Sequence, residues 1–156
     1  MPAKKPGRKS KITLRKVSQK NLSQILKLKV AKSQEKFVAS NAVSIAQGCF
    51  EKAAWFRAIY AGETPVGFVM MYEDRKRGKY YLWRFMIDAK HQGNGYGERA
   101  LELIIDRVRK SPTARALTLS YVRARGGPEK FYDRFGFEDT GKMEYGEHVA
   151  RLTLRK

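Results

Sequence analysis

Three glycines at alternate positions, Gly93, Gly95 and Gly97, are the residues of this sequence best suited to holding a ligand. They follow an apolar segment ending at Ile87 and precede a segment with helical periodicity, which predicts a strand, a loop and a helix in that order. Glycine lets the backbone approach a ligand closely, and the first N–H groups of a helix lack partners within it. Such a junction favours a bound pyrophosphate. The spacing differs from the G-x-G-x-x-G dinucleotide pattern, and no Lys-Ser or Lys-Thr pair follows as a Walker A loop requires.

Alternating strands and helices are predicted on both sides of this loop. Residues 80–87 are apolar at nearly every position, which favours a central strand. The order β-α-α-β-β-β-α-β-α-β-β predicts an α/β fold (α+β in some schemes), with a mixed sheet and helices on both faces. The predicted strands are 11–17, 53–61, 65–72, 80–87, 116–121, 137–144 and 148–154, and the predicted helices are 20–32, 42–47, the glycine loop to 109, and 129–135.

Positive charge is the unusual bulk property of the chain, which carries a formal net charge of +18 over 156 residues. Twelve of the 33 Lys and Arg lie in residues 1–36, where Glu35 is the single acid. Residues 1–10 combine Pro, Gly and Lys without an apolar face, so we expect a disordered basic arm followed by one domain over residues 11–156. Such an arm is typical of weak contact with nucleic acid, or it is simply a solvated tail.

Several classes of protein are excluded or disfavoured by composition. A single cysteine, Cys49, forms no intrachain disulfide and no cysteine cluster for a metal. Two histidines without spaced carboxylates disfavour any metal site. No apolar run approaches the roughly 20 residues of a transmembrane helix, so we expect no membrane association and a cytoplasmic location.

Two segments together resemble the GNAT superfamily of N-acetyltransferases. Gln92–Gly97 is similar to its acetyl-CoA signature Gln/Arg-x-x-Gly-x-Gly/Ala, and Phe131–Phe137 is similar to its second signature, an aromatic-Tyr helix closed by Gly-Phe. The resemblance spans residues 11–154, and Trp83–Asp88 resembles most the bacterial spermidine/spermine acetyltransferases. It implies the GNAT fold, with a mixed and mostly antiparallel sheet of about seven strands.

The resemblance also implies which residues bind acetyl-CoA as cosubstrate. The pantetheine arm would pair with the backbone of the central strand, and an N–H near its end would stabilise the thioester oxyanion. Arg125 stands where the superfamily often has Asn, and it is expected to reach a CoA phosphate instead. The implied cofactor-binding residues are Phe85, Met86 and Ile87 on the strand, Gln92, Gly93, Asn94, Gly95, Tyr96, Gly97 and Glu98 at the loop, and Arg125.

Tyr132 matches the residue that the superfamily uses to protonate the leaving thiolate. A phenol has a pKa of about 10, close to that of a thiol, so transfer between them would be nearly balanced. A general acid of this kind contributes about 10²–10⁴-fold. The alternative is that Tyr132 only packs in a short helix. His91 and Asp88 are weaker candidates for proton transfer. Asp88 is instead expected to shape the turn after its strand.

The implied function is transfer of an acetyl group from acetyl-CoA to a primary amine by direct attack in a ternary complex. A polyamine acceptor would favour acidic residues at the positions of Trp83 and Ala39, which are not acidic, so an amino acid or another small amine stays open. Further alternatives are protein N-terminal or lysine acetylation, a basic nucleic-acid- or ribosome-binding module of the same fold, and CoA sensing without turnover. A homodimer formed through an exposed sheet edge is also expected.

Overall fold

Seven strands form one mixed sheet in the order β1-β2-β3-β4-β5-β7-β6. Neighbouring strands are antiparallel except for β4 and β5, which are parallel. The predicted fold class is therefore confirmed. The computed structural model describes residues 5–155, with the strands β1 Ile12–Arg15, β2 Ala54–Ala61, β3 Thr64–Asp74, β4 Lys79–Ile87, β5 Ala116–Tyr121, β6 Glu138–Glu144 and β7 Glu147–Thr153, and the helices α1 Leu22–Lys27, α2 Asn41–Phe50, α3 Tyr96–Arg109 and α4 Glu129–Arg134.

Each face of the sheet carries its own apolar core. Helix α3 buries a stripe at helical spacing, Leu101, Ile104, Ile105 and Val108, against one face, and α4 packs on the same side. On the other face, Ile25 of α1 packs against Phe68, Met70 and Met86, and Ile45 of α2 borders that cluster. Helices therefore cover both faces, as the sequence predicts.

Strands β4 and β5 pair over only a short distance. Their ladder contains Tyr81 opposite Thr118 and Leu82 opposite Leu119, and the strands separate beyond that point. The separation coincides with a bulge, because Met70 of β3 pairs with Arg84 while Met71 pairs with Leu82, leaving Trp83 as the extra residue. A bulge bends its strand and increases its twist, so it turns the end of β4 away from β5.

Helix α1 is much shorter than the predicted helix over residues 20–32. It ends at Lys27, and the backbone is extended at Leu28. The next residues bind the chain after β4 instead: the Lys29 N–H donates to the Asp88 carboxylate at 2.9 Å, and the Ala89 N–H donates to the Lys29 carbonyl at 3.0 Å. These long-range bonds satisfy the backbone as well as helical bonds would. The apolar periodicity therefore did not determine where α1 ends. A 3-10 helix at Lys32–Phe37 follows.

The chain ahead of β1 contacts the start of α3. The Tyr96 hydroxyl donates to the Gly7 carbonyl at 2.8 Å, and the Arg99 guanidinium donates to the Arg8 and Ser10 carbonyls, both at 2.7 Å. A turn bond from the Ser10 N–H to the Gly7 carbonyl at 3.1 Å closes this segment. Residues Gly7–Ser10 thus differ from the expected disordered arm, whose residues 1–4 lie outside the described part of the chain.

Truncation of residues 1–10 is expected to lower the melting temperature by about 2–4 °C, because hydrogen bonds worth about 1 kcal/mol net are lost at the first turn of α3. Thermal unfolding followed by circular dichroism measures the shift. Truncation of residues 1–4 alone is the control, and it should retain these bonds and most of the stability. Equal melting temperatures for the parent and the longer truncation would show that the contacts contribute nothing.

Candidate active site

The separation of β4 from β5 opens a cleft of about 860 Å³ that is lined by residues from both faces of the sheet. On the α3 and α4 side it is lined by the glycine loop and by Phe131 and Tyr132. On the α1 and α2 side it is lined by the 3-10 helix and by Trp83, Ser120 and Glu147. The cleft therefore brings together the two segments that carry the GNAT resemblance, Gln92–Gly97 and Phe131–Phe137, which are distant in sequence.

The glycine loop has the conformation that its residue types require. Gly93 and Gly95 have φ angles of +84° and +77°, in the region that residues with a Cβ rarely adopt. Gly95 is the residue before the first turn of α3, and no side chain caps the helix there. The first N–H groups of a 14-residue helix are thus left facing the cleft at the positive end of its dipole. This geometry suits a pyrophosphate.

Side chains around the loop hold it in place. The Gln92 amide donates to the Ile87 carbonyl at 2.9 Å and to the Gln34 side chain at 3.0 Å. The Asn94 amide donates to the His91 carbonyl at 3.1 Å. Glu98 forms an exposed ion pair with Arg134 of α4 at 3.3 Å. Gln92 and Asn94 therefore fix the loop through their side chains, which leaves its backbone N–H groups as the groups able to bind a ligand.

The register of β4 decides which of its backbone groups face the cleft. The Asp88 N–H donates to the Val66 carbonyl at 2.7 Å, so the neighbouring pair Ile87 and Gly67 is of the non-hydrogen-bonded kind. The N–H and C=O groups of Ile87 therefore point away from β3, and those of Phe85, two residues earlier, do the same. Met86 directs its backbone to β3 and its side chain into the core below α1. Phe85 and the Ile87 N–H thus offer an open strand edge, whereas the Ile87 carbonyl accepts from Gln92 and the Met86 backbone faces β3.

Tyr132 lies on α4 with 9% of its surface exposed. Its ring packs edge-on against Phe131 and Phe137, with centroids 5.3 and 5.7 Å away. Tyr132 also lines the cleft. Burial, and to a smaller extent the nearby Tyr81, raises the pKa of this phenol well above its ordinary value. The group is therefore fully protonated at neutral pH, although its pKa differs from the ordinary value assumed from the sequence.

The other residues singled out in the sequence differ in their position relative to the cleft. Arg125 is exposed in the turn before α4 and is not among the residues that line the cleft in the described part of the chain. The Asp88 carboxylate accepts from the Lys29 and Lys90 N–H groups, at 2.9 Å each, so it shapes the turn as expected. His91 lines the cleft beside the loop.

The α1 and α2 side of the cleft, where the acceptor is expected, contains residues that the sequence did not single out. Trp83 and Ala39 do line it, as predicted, and neither is acidic. Carboxylates come from other elements: Glu35 from the 3-10 helix and Glu147 from the first position of β7. The Glu147 carboxylate accepts from the Ser120 hydroxyl at 2.9 Å, and Ser120 in turn bonds the Tyr81 hydroxyl. No sequence motif marks these residues, because strand pairing alone brings them together.

Comparison with known proteins shows the family to which the chain belongs. Residues 26–137 match the model of the acetyltransferase (GNAT) family. The chain belongs to this family of N-acetyltransferases, which confirms the resemblance seen in its two signatures. Over 151 residues, 88% of this chain and 95% of the relative, it is 30% identical to the spermine/spermidine N(1)-acetyltransferase of Bacillus subtilis.

Solved structures share the fold at lower sequence identity. Spermidine N-acetyltransferase from Vibrio cholerae, in complex with CoA and spermine, has a TM-score of 0.70 at 16% identity, covering 90% of this chain and 92% of that one. The ribosomal-protein-S18-alanine N-acetyltransferase of Escherichia coli has the same TM-score at 14% identity, covering 94% and 96%. Two acetyltransferases with different acceptors match equally well, so the fold does not identify the acceptor.

A metal-ligand cluster and a membrane-spanning helix are both absent from residues 5–155. No three His, Cys, Asp or Glu side chains lie together as a metal site would need. None of the helices described there is long and apolar enough to cross a membrane.

Proposed function

We propose that this chain transfers the acetyl group of acetyl-CoA to a primary amine of a small acceptor, by direct attack within a ternary complex. The observation that carries the proposal is that one cleft holds both the glycine loop and the buried, protonated Tyr132. Bound acetyl-CoA supplies the activated acetyl group. The loop N–H groups of residues 93–98 would bind its pyrophosphate, and the open edge at Phe85 and Ile87 would pair with its pantetheine arm.

Two groups of the chain would act on the reacting atoms. The Ile87 N–H points away from β3 and would donate to the thioester oxygen as negative charge develops there. The Tyr132 hydroxyl would give its proton to the sulfur as the C–S bond breaks. A phenol is protonated at neutral pH even at its ordinary pKa, so Tyr132 can donate. Burial raises its pKa further above that of a thiol, which makes the transfer less balanced than the ordinary pKa implies.

Polyamines are the acceptor class that we propose first. Relatives named as spermine/spermidine acetyltransferases match along most of the chain, and Glu35 and Glu147 place negative charge on the acceptor side. The net charge of +18 opposes this choice, but opposite charges within a few ångströms outweigh a surface field that salt screens over about 8–10 Å. A panel of spermidine, spermine, free amino acids and an alanine-ended peptide, followed by release of free thiol, tests the acceptor. Preference for the peptide would contradict a small-molecule acceptor.

Gly95→Val is expected to abolish stabilisation by acetyl-CoA, because a side chain would occupy the space of the phosphate and the φ of +77° disfavours valine. In the parent, ligand at 100 times its Kd should add about 2.7 kcal/mol of stability. Melting curves with and without acetyl-CoA measure the difference.

Gly141→Val is the matched control for that variant. Gly141 has a φ of +80° in exposed strand β6, so it incurs the same backbone strain outside the cleft. Its melting temperature without ligand should fall, while the acetyl-CoA shift persists. If saturating acetyl-CoA leaves the melting temperature of the parent protein unchanged, the glycine loop is not an acetyl-CoA site.

Tyr132→Phe is expected to lower kcat by about 100-fold or more while leaving acetyl-CoA affinity unchanged, because only the proton donor is removed. The ring keeps its contacts with Phe131 and Phe137, so stability should change little. Steady-state kinetics with the best acceptor of the panel measures the effect. Tyr145→Phe removes an equivalent hydroxyl from a fully exposed turn and should retain the parental rate. Parental turnover by Tyr132→Phe would show that another group or water protonates the sulfur.

A further inference from the structure

Three carboxylates line the cleft in the described part of the chain, and they are not equivalent. Glu98 lies on the cofactor side and is paired with Arg134. Glu35 lies on an exposed 3-10 helix, without a fixed contact there to orient its carboxylate. Glu147 is half-buried on the acceptor side and is anchored through one oxygen to Ser120. Only Glu147 therefore combines a defined position with access to the acceptor.

The β6–β7 hairpin explains how Glu147 reaches the cleft. Tyr145 and Gly146 both have positive φ, 50° and 79°, as a two-residue hairpin turn requires, and β7 begins at the next residue. In the β5–β7 ladder Ser120 lies opposite Val149, so Glu147, two residues earlier, is its diagonal neighbour on the same face. Tyr81 reaches that face from β4, and its hydroxyl completes the chain Glu147–Ser120–Tyr81.

The surroundings of Glu147 leave its second oxygen available. Among the described residues no cation lies within 4.0 Å of this carboxylate, although Arg84 on β4 is near enough for their charges to interact. The terminal nitrogens of the Arg84 guanidinium donate to the Trp83 carbonyl at 3.0 Å and to Gln47 at 3.1 Å, while its buried Nε has no hydrogen-bond partner among the described residues. Two other titratable groups lie near this chain: Glu144 on β6, which raises the pKa of Tyr81, and Tyr132 on α4, whose own pKa Tyr81 raises.

We infer that Glu147 receives the ammonium group of the acceptor and takes its proton, while Ser120 and Tyr81 act as positioning residues for its carboxylate. The inference rests on the proposed function. It assigns the base to β7, because the residues of β4 at the bulge, Trp83 and Arg84, carry no carboxylate. The carboxylate accepts one proton from the ammonium, and the neutral nitrogen attacks the thioester carbon. The C–S bond breaks and the sulfur takes the Tyr132 proton. The attacking nitrogen then carries one proton more than an amide nitrogen holds, and this surplus proton passes to the Tyr132 phenolate. Glu147 then releases its proton to solvent.

Glu147→Gln tests the base, because glutamine keeps the shape and an oxygen for Ser120 but accepts no proton. We expect kcat/KM for spermidine to fall by about 100-fold or more, with an unchanged melting shift by acetyl-CoA. The remaining rate should rise more steeply with pH than that of the parent between about pH 7 and 9, because only amine already deprotonated in solution, with a pKa of about 10, can react. Glu138→Gln removes the same charge from the far end of exposed strand β6, away from the cleft, and should behave as the parent.

Ser120 provides a second and independent test. Ser120→Ala removes the anchor but keeps the carboxylate, so kcat should fall by about 10-fold, and Ser120→Thr should restore most of it by returning the hydroxyl. Glu147→Gln with a parental kcat/KM and a parental pH profile would overturn the inference.

Failure of the proposed function is distinguishable from failure of this inference. If the parent acetylates no amine of the panel, calorimetric titration of the CoA-saturated protein with spermidine tests whether the Glu147 carboxylate binds an ammonium group. Binding that disappears in Glu147→Gln and persists in Glu138→Gln supports the ammonium site. Equal binding by both variants, or no binding by the parent, overturns it.

Discussion

The separation of β4 and β5 is the constraint on which the rest of the site depends. Two ladder pairs hold these strands together, and the bulge at Trp83 then turns β4 away. A continuous ladder would place β5 against Phe85 and Ile87 and fill the space that opens onto Tyr132. The sheet thus gives up several backbone hydrogen bonds at its centre, and the open edge keeps N–H and C=O groups that a ligand can satisfy.

Local sequence predicted the parts of the molecule that depend on local chemistry. The glycine loop, the apolar stripe of α3 and the placement of Tyr132 in a short helix all follow from residue types within a few positions of each other. The family match confirms the fold that these signatures imply. The roles of individual residues in binding and proton transfer stay predictions.

Features formed by distant residues could not be predicted in this way. The early end of α1 depends on bonds between Lys29 and Asp88, and the N-terminal turn depends on Tyr96 and Arg99, about 90 residues away. Glu147 reaches Ser120 and Tyr81 through the register of three strands. No spacing in the sequence encodes such contacts, because a shift of one residue in a strand would move every side chain to the opposite face.

The cleft is lined from both faces of the sheet, by the glycine loop and Tyr132 on one side and by Trp83, Ser120 and Glu147 on the other. An acyl donor held at the glycine loop and an acceptor held beside Glu147 would therefore occupy different parts of one cleft. Neither would have to bind before the other, so the order of addition would be free. Free CoA would then compete with acetyl-CoA, and the acetylated amine would compete with its precursor, so product inhibition would separate into two independent patterns.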